Sequence, residues 1–351
     1  MPGVLLHIGT GKTGTSAIQS FAWAQREALA REGIAYPEPG LSHIEHFGEL
    51  IPAHYPLADW LRRGDERRLQ AWAQALRSER AEWLLLSCEN LYHHLDAAAI
   101  DRLRQLLDGW PVRVVCYARP QDDYIVSAWK QQVKVGDLKG PFGNLLARHL
   151  SPDFLAQSHA HHHRMLAPWR AAFGQEAVRL GVFERHHLSA GGGLVADFFR
   201  TAGRPLPASL TEQAPPVRND ALPTELLLLL RLANLREAVP AAERPAFIAQ
   251  LRQLHAFGNP ELLGRRQRQA VLDNYREANT RLFAEYAHTA VPERFLRVPT
   301  DQYPEEAVLP KVEDLLLDCL VKACRAAPPA ADPASEAAPD LPWWRQLMRR
   351  P

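Results

Sequence analysis

Four short apolar runs stand out along the chain: Val4–Ile8, Trp83–Ser87, Arg113–Tyr117 and Val178–Phe183. Each is too short for a stable helix, so each reads as a strand. Between them, apolar residues recur at helical spacing from about Ala17 to Glu32, Asp65 to Arg80 and Ala97 to Leu107. Gly33 ends the first of these stretches as a C-terminal cap would. Strands alternating with helices predict an α/β fold, with a central parallel sheet covered on both faces.

The pattern changes from about Ala221. Thr224–Glu237, Ala241–His255, Gln267–His288 and Glu313–Arg325 all carry helical periodicity. They predict an added helical layer packed on the same domain, which then spans 1–325, with an α/β core over 1–210 and the layer over 211–325. Residues 326–340 are rich in Ala, Pro, Asp and Ser and cannot build a core, so they read as a flexible linker. Residues 341–351 form a tail carrying Trp343, Trp344, Arg345, Leu347, Met348, Arg349 and Arg350. Indoles beside guanidinium groups suit the headgroup region of a membrane, which predicts weak, salt-sensitive contact with a lipid surface. The other reading is that Trp343 and Trp344 fold back onto the helical layer.

Composition narrows the function. With 41 Lys and Arg against 40 Asp and Glu, the formal net charge is +1. A general nucleic-acid binder would carry a basic excess, so nucleic acid is not an expected partner and any anion must be held by a local site. The four cysteines, Cys88, Cys116, Cys319 and Cys324, form no CxxC pair and read as buried reduced thiols. The first residues lack the pattern of a signal peptide, and the longest apolar runs, such as Leu226–Leu230, are far too short to span a bilayer. A cytoplasmic protein is expected.

Two motifs carry candidate chemistry. The first is Gly9-Thr10-Gly11-Lys12-Thr13-Gly14-Thr15-Ser16, between the first strand and the first helix. Glycines let backbone N–H groups converge on an anion, and the following helix adds its positive end. Lys12 supplies a mobile charge, while Thr13, Thr15 and Ser16 supply hydroxyl donors. This is not a Walker A loop, which would need glycine where Leu6 stands. The second motif is Arg119-Pro120 at the end of a strand, with Pro120 suited to the first position of a helix and Ser127 about two turns along it. A guanidinium and a hydroxyl so placed can converge on one phosphate. Both motifs lie at carboxyl ends of strands, where open α/β sheets bind ligands.

In these two motifs the sequence resembles the bacterial members of the P-loop sulfotransferase superfamily, enzymes that use 3′-phosphoadenosine-5′-phosphosulfate (PAPS). Lys12 to Ser16 resembles that family's 5′-phosphosulfate loop, and Arg119 with Ser127 its 3′-phosphate motif. Supporting similarity lies in Trp169 with Phe173-Gly174, Glu184 after a strand, and Asp197-Phe198-Phe199. It covers residues 4–205 and thins beyond them. The resemblance implies a P-loop sulfotransferase-like fold, PAPS as donor and 3′-phosphoadenosine-5′-phosphate (PAP) as product. It also implies a PAPS or PAP site at Gly11, Lys12, Thr13, Gly14, Thr15, Ser16, Arg119 and Ser127, with a further basic contact from late in the chain, for which Arg218 is a candidate.

Sulfuryl transfer needs cationic and N–H donors at the reacting oxygens and a base for the acceptor hydroxyl. Lys12 serves the first need. Glu89, just beyond the strand Trp83–Ser87, is the first choice as base, and the family places a catalytic Glu or His at this strand end. As an alternative, Glu89 is an ordinary carboxylate at a helix N-terminus. His46 is the next catalytic candidate, followed by His43, His93 and His94. His159 and His163 would share a helix face, but no recognisable metal signature surrounds them, so a solvated polar face is expected and no metal is required. Gly191-Gly192-Gly193 reads as a turn before a helix. The acceptor, a small molecule, glycan or lipid-linked group, would be lined by residues 37–60 and 134–165. The rival readings are a P-loop nucleotide kinase, for which Glu89 would stand in as the metal-site acid, and a non-catalytic nucleotide-binding protein.

Overall fold

The structure, a computed structural model, describes residues 2–46, 49–213, 222–254, 256–287 and 289–326. In chain order the strands are β1 (Gly3–Gly9), β2 (Ile34–Ala35), β3 (Ser42–His46), β4 (Glu49–Ala53), β5 (Trp83–Ser87), β6 (Val112–Ala118) and β7 (Val178–Val182). Five of them form one parallel sheet in the order β2-β5-β1-β6-β7, flanked by helices. β3 and β4 pair separately and antiparallel. All four strands expected from apolar runs are present. β2 is two residues long, and Ser42–His46 has a single apolar residue, so neither announces itself in the pattern.

Side chains along a strand alternate between faces, and here each face has its own core. Val4, Leu6 and Ile8 of β1 join Leu84, Leu86, Val114 and Cys116 on one side. Helices Tyr55–Arg63, Glu66–Arg77, Ala97–Leu106, His162–Phe173 and Arg276–Tyr286 cover that side through Leu57, Leu69, Leu103, Leu166 and Leu282. Leu5, Leu85, Val115 and Tyr117 face the other way, against Ile18 and Phe21 of helix Thr15–Ala24 and Phe198 and Phe199 of helix Leu194–Thr201. The triple glycine Gly191–Gly193 precedes that last helix, as expected.

The helices of the last third divide. Arg276–Tyr286 covers the sheet, while Thr224–Leu235, Arg265–Asn274 and Val312–Ala326 gather around helix Gln121–Val135. That third cluster contains Ile125, Trp129, Leu227, Leu230, Val271 and Leu315.

Two helices expected as continuous are interrupted. The first begins at Thr15 and breaks at Gln25, giving Thr15–Ala24 and Arg26–Arg31. The second breaks at Tyr275, giving Arg265–Asn274 and Arg276–Tyr286. Tyr275 leaves helical geometry while its buried hydroxyl donates to Ser158 Oγ at 2.9 Å. Periodicity cannot register one residue that departs while the turns on either side stay helical.

Cys88, Cys116 and Cys319 are buried and free. The side chain of Cys324 lies outside the described residues, as do Arg218, the linker and the tail. Among the described residues no helix is long and apolar enough to cross a membrane.

Candidate functional site

Strand β1 brings the chain to the carboxyl edge of the sheet, where Thr10 to Gly14 turn it into helix Thr15–Ala24. Gly14 has a φ of +74°, and a Cβ there would lie 2.3 Å from Leu194 Cδ2, so only glycine fits. Lys12 also takes left-handed backbone, at φ 67°, a strained choice for a residue with a side chain. Thr10 Oγ1 donates to the Tyr117 carbonyl at 3.1 Å, and Thr13 Oγ1 to the Thr10 carbonyl at 2.5 Å. The Gly11 N–H donates to His93 Nε2 at 3.1 Å. Two expected anion contacts, the Thr13 hydroxyl and the Gly11 N–H, are therefore committed to bracing the loop. Lys12 is exposed, Ser16 in the first turn of the helix is half-buried, and no side chain caps that helix's N-terminus.

The second motif touches the first. Arg119 Nη1 donates to the Lys12 carbonyl at 2.7 Å, and its guanidinium stands 5.4 Å from the Phe183 ring centre. β6 ends at Ala118, and Pro120, with ψ 131°, sits just outside the helix, which begins at Gln121. Pro120 is therefore the capping position and not the first helical residue. Ser127 lies half-buried on that helix. His162 fixes the strand end from behind: its Nε2 is 3.0 Å from the Arg119 carbonyl and its Nδ1 is 3.0 Å from the Tyr92 hydroxyl.

Glu89 stands just beyond the end of β5. Its carboxylate accepts from the Tyr55 hydroxyl at 2.6 Å and from Gln19 Nε2 at 3.1 Å. Gln19 is fully buried and also donates to Ser87 Oγ at 3.2 Å. Glu89 does occupy the N-terminal cap of helix Asn90–His94, but its side chain makes no capping bond; the carboxylate is turned to Tyr55 and Gln19 instead. Burial and the Glu89 charge push the Tyr55 phenol far up, so it stays a donor.

Lys12 is exposed, with Nζ 3.2 Å from Gln131 Oε1. The protein packed around it, then Lys134 and Arg119, lower its ammonium to about 8, with Glu89 acting in the opposite sense. Burial likewise lowers Arg119, against the pull of Asp123 and Asp122. Lys12, Lys134 and Arg119 thus gather positive charge beside Glu89 in a chain of nearly zero net charge.

Behind Arg119 lies a buried ionic cluster. Arg268 Nη1 reaches Asp122 and Asp123 at 2.9 Å each, and its Nη2 reaches Glu261 at 2.6 Å. Arg294 Nη2 reaches Asp122 at 2.6 Å and Asp123 at 2.8 Å, while the Tyr303 hydroxyl donates to Asp123 at 3.2 Å. Burial and the neighbouring Asp123 raise Asp122. Against its own burial, Asp123 is held below the usual carboxylate range by Arg294, Arg119 and Arg268. Arg268 and Arg294, both late in the chain, thus bind the acidic residues that follow the second motif's arginine. Their only sequence signal is the Asp-Asp pair, and nothing local ties it to residues 268 and 294.

Of the histidines, His46 ends β3 and its side chain lies outside the described residues. His43 meets Trp23 edge-on at 4.9 Å. His93 is held to about 3, by burial and then by His159, His94 and His162, and braces Gly11. His159 and His163 do not share a helix face. His159 precedes the helix, His161 caps it by accepting from the Arg164 N–H, His162 is buried and His163 faces Glu285 at 3.1 Å. The expected solvated face fails because the helix starts three residues late and turns His162 inward.

The fold defines the class: an open parallel α/β protein in which a lysine, an arginine and a carboxylate gather at the carboxyl edge of the sheet. No family model matches the chain. It is 24% identical over 199 residues to an uncharacterized protein of Archaeoglobus fulgidus, which covers 56% of this chain and 52% of that protein. The chain therefore spans about half the length of that curated relative. Among solved structures it is similar to a sulfotransferase from Alicyclobacillus acidocaldarius, at 16% identity and a TM-score of 0.39, over 70% of this chain and 99% of that one.

Proposed function

We propose that this chain is a sulfotransferase that moves a sulfuryl group from PAPS to an acceptor hydroxyl or amine. The observation that carries the reading is the bond from the Arg119 guanidinium to the Lys12 carbonyl, which joins the two candidate anion-binding motifs. A ligand with two separated anionic groups suits that arrangement. The residues present fit PAPS: Lys12, Gly14, Thr15 and Ser16 would hold its 5′ end, and Arg119 with Ser127 its 3′-phosphate. When bound, the donor supplies an activated sulfuryl group.

Glu89 would accept the proton of the acceptor hydroxyl. Tyr55 and Gln19 occupy one site on each of its oxygens and so fix its orientation. Lys12 would stand over the bridging oxygen, where negative charge gathers. Calorimetry of PAP against ATP with Mg²⁺, followed by a Glu89→Gln assay with labelled PAPS, tests the reading. Tight PAP binding with lost turnover in the variant is expected. Preference for ATP with Mg²⁺ would overturn it.

A further inference from the structure

Helix Asn90–His94 follows Glu89 directly. The Tyr92 and His93 N–H groups both donate to the Glu89 carbonyl, at 3.1 and 3.2 Å, so one helical turn carries Glu89 and His93 together. That turn meets the loop of the first motif twice. A Cβ at Gly9 would lie 3.1 Å from Glu89 Cβ, and the Gly11 N–H donates to His93 Nε2 at 3.1 Å. Lys12 is the next residue, and its backbone is left-handed at φ 67°, a conformation that persists where the surroundings over-determine it. The chain is tied on both sides of it, by the Gly11 N–H to His93 and by the Lys12 carbonyl to the Arg119 guanidinium.

The bond fixes the ring as well as the loop. A peptide N–H aimed at Nε2 requires the lone pair there, so neutral His93 carries its proton on Nδ1, 3.3 Å from His159 Nδ1. Burial, and then His159, His94 and His162, hold the ring to about 3, so it stays an acceptor at any ordinary pH. The contacts continue from there. The Tyr92 hydroxyl lies 2.9 Å from the His159 carbonyl and 3.0 Å from His162 Nδ1, and His162 Nε2 lies 3.0 Å from the Arg119 carbonyl. One run of polar contacts therefore passes from the backbone of the first motif to that of the second, by way of the turn that carries Glu89.

Resting on the sulfotransferase reading, we propose that His93 is a positioning residue of the donor site, which holds the loop backbone at Lys12 in register with Glu89. It touches neither donor nor acceptor. Its lone pair keeps the Gly11 peptide in place, and through that peptide the loop keeps the shape that receives the 5′ end of the nucleotide.

The test is calorimetry of the full chain and three variants with PAP, adenosine 5′-phosphate and adenosine 3′-phosphate. His93→Phe keeps an aromatic ring and removes the acceptor. His93→Gln removes the ring and offers an amide oxygen to the Gly11 N–H, and His93→Ala removes both. The Phe and Ala variants should bind PAP and adenosine 5′-phosphate roughly 3- to 10-fold more weakly, the loss expected for one hydrogen bond. Adenosine 3′-phosphate should change by less than about 2-fold, and His93→Gln should recover PAP affinity to within about 2-fold. Should the Phe variant fold poorly, Ala against Gln carries the same comparison. Full PAP affinity without an acceptor at position 93 would overturn the proposal, as would equal losses in Phe and Gln. Exchange of the Gly11 amide, followed by NMR, needs no nucleotide and should quicken in Phe and Ala but not in Gln. A chain that binds no PAP yet shows this exchange pattern removes the donor reading and keeps His93 as the brace of the loop. PAP binding with Gly11 exchange unchanged in every variant keeps the donor reading and removes the role of His93.

Discussion

The Lys12 ammonium sits beside Lys134 and Arg119, and its lowered value of about 8 follows from that crowding and from the protein around it. An arriving phosphate favours the charged form, so binding takes up a proton wherever Lys12 has begun to lose it. PAP affinity should hold between about pH 7, where both phosphates have lost their second proton, and about pH 8, and fall above it; in Lys12→Arg, always charged, calorimetry should find that upper fall gone. Lys12→Ala should cost on the order of 10²-fold in kcat, and near-normal turnover would sink the assignment. Arg119→Ala should weaken PAP by about 1.5–3 kcal/mol, with little change for an analogue lacking the 3′-phosphate. Equal losses for both ligands would show that Arg119 acts chiefly on the loop. The positions of Lys12, Arg119 and Glu89 were legible because each follows closely on a strand end that its own neighbours reveal, and Ser127 because it lies on the helix that follows β6. Tyr55, Gln19 and His93 were not, since each acts on a residue far away in the chain, and nothing around them locally marks the contact.

At the scale of elements, the apolar runs located β1, β5, β6 and β7 because parallel strands are buried on both faces. The β3–β4 pair lacks such a run, and both interrupted helices keep their periodicity across the break. The joint between the helix after β6 and the late helices was also invisible. It consists of Asp122, Asp123, Arg268 and Arg294, with Asp122 fully buried and Arg268 2% exposed. Removing one partner strands a charge in the interior, which costs about 3–5 kcal/mol. Arg268→Ala should therefore lower the urea midpoint by that amount of stability, whereas the exposed pair Arg281–Glu277 should respond by less than about 1 kcal/mol when broken. A negligible change in Arg268→Ala would mean that the cluster contributes no stability.

For the molecule as a whole, charge is local. A net charge of +1 sets up no broad field to draw an anion from a distance. Association of PAP, followed by stopped flow, should change little with salt, while dissociation quickens as the contacts of Lys12 and Arg119 are screened. A steep fall in the association rate would point to a basic surface away from Lys12 and Arg119. The bond from Arg119 to the Lys12 carbonyl has one more consequence. A ligand group that orders the loop also orders the guanidinium, and the effect must run equally in the other direction. The two ends of a nucleotide are then not independent tenants. Adenosine 3′,5′-bisphosphate, cut into a 5′-phosphate piece and a 3′-phosphate piece, should yield fragments each of which tightens the other.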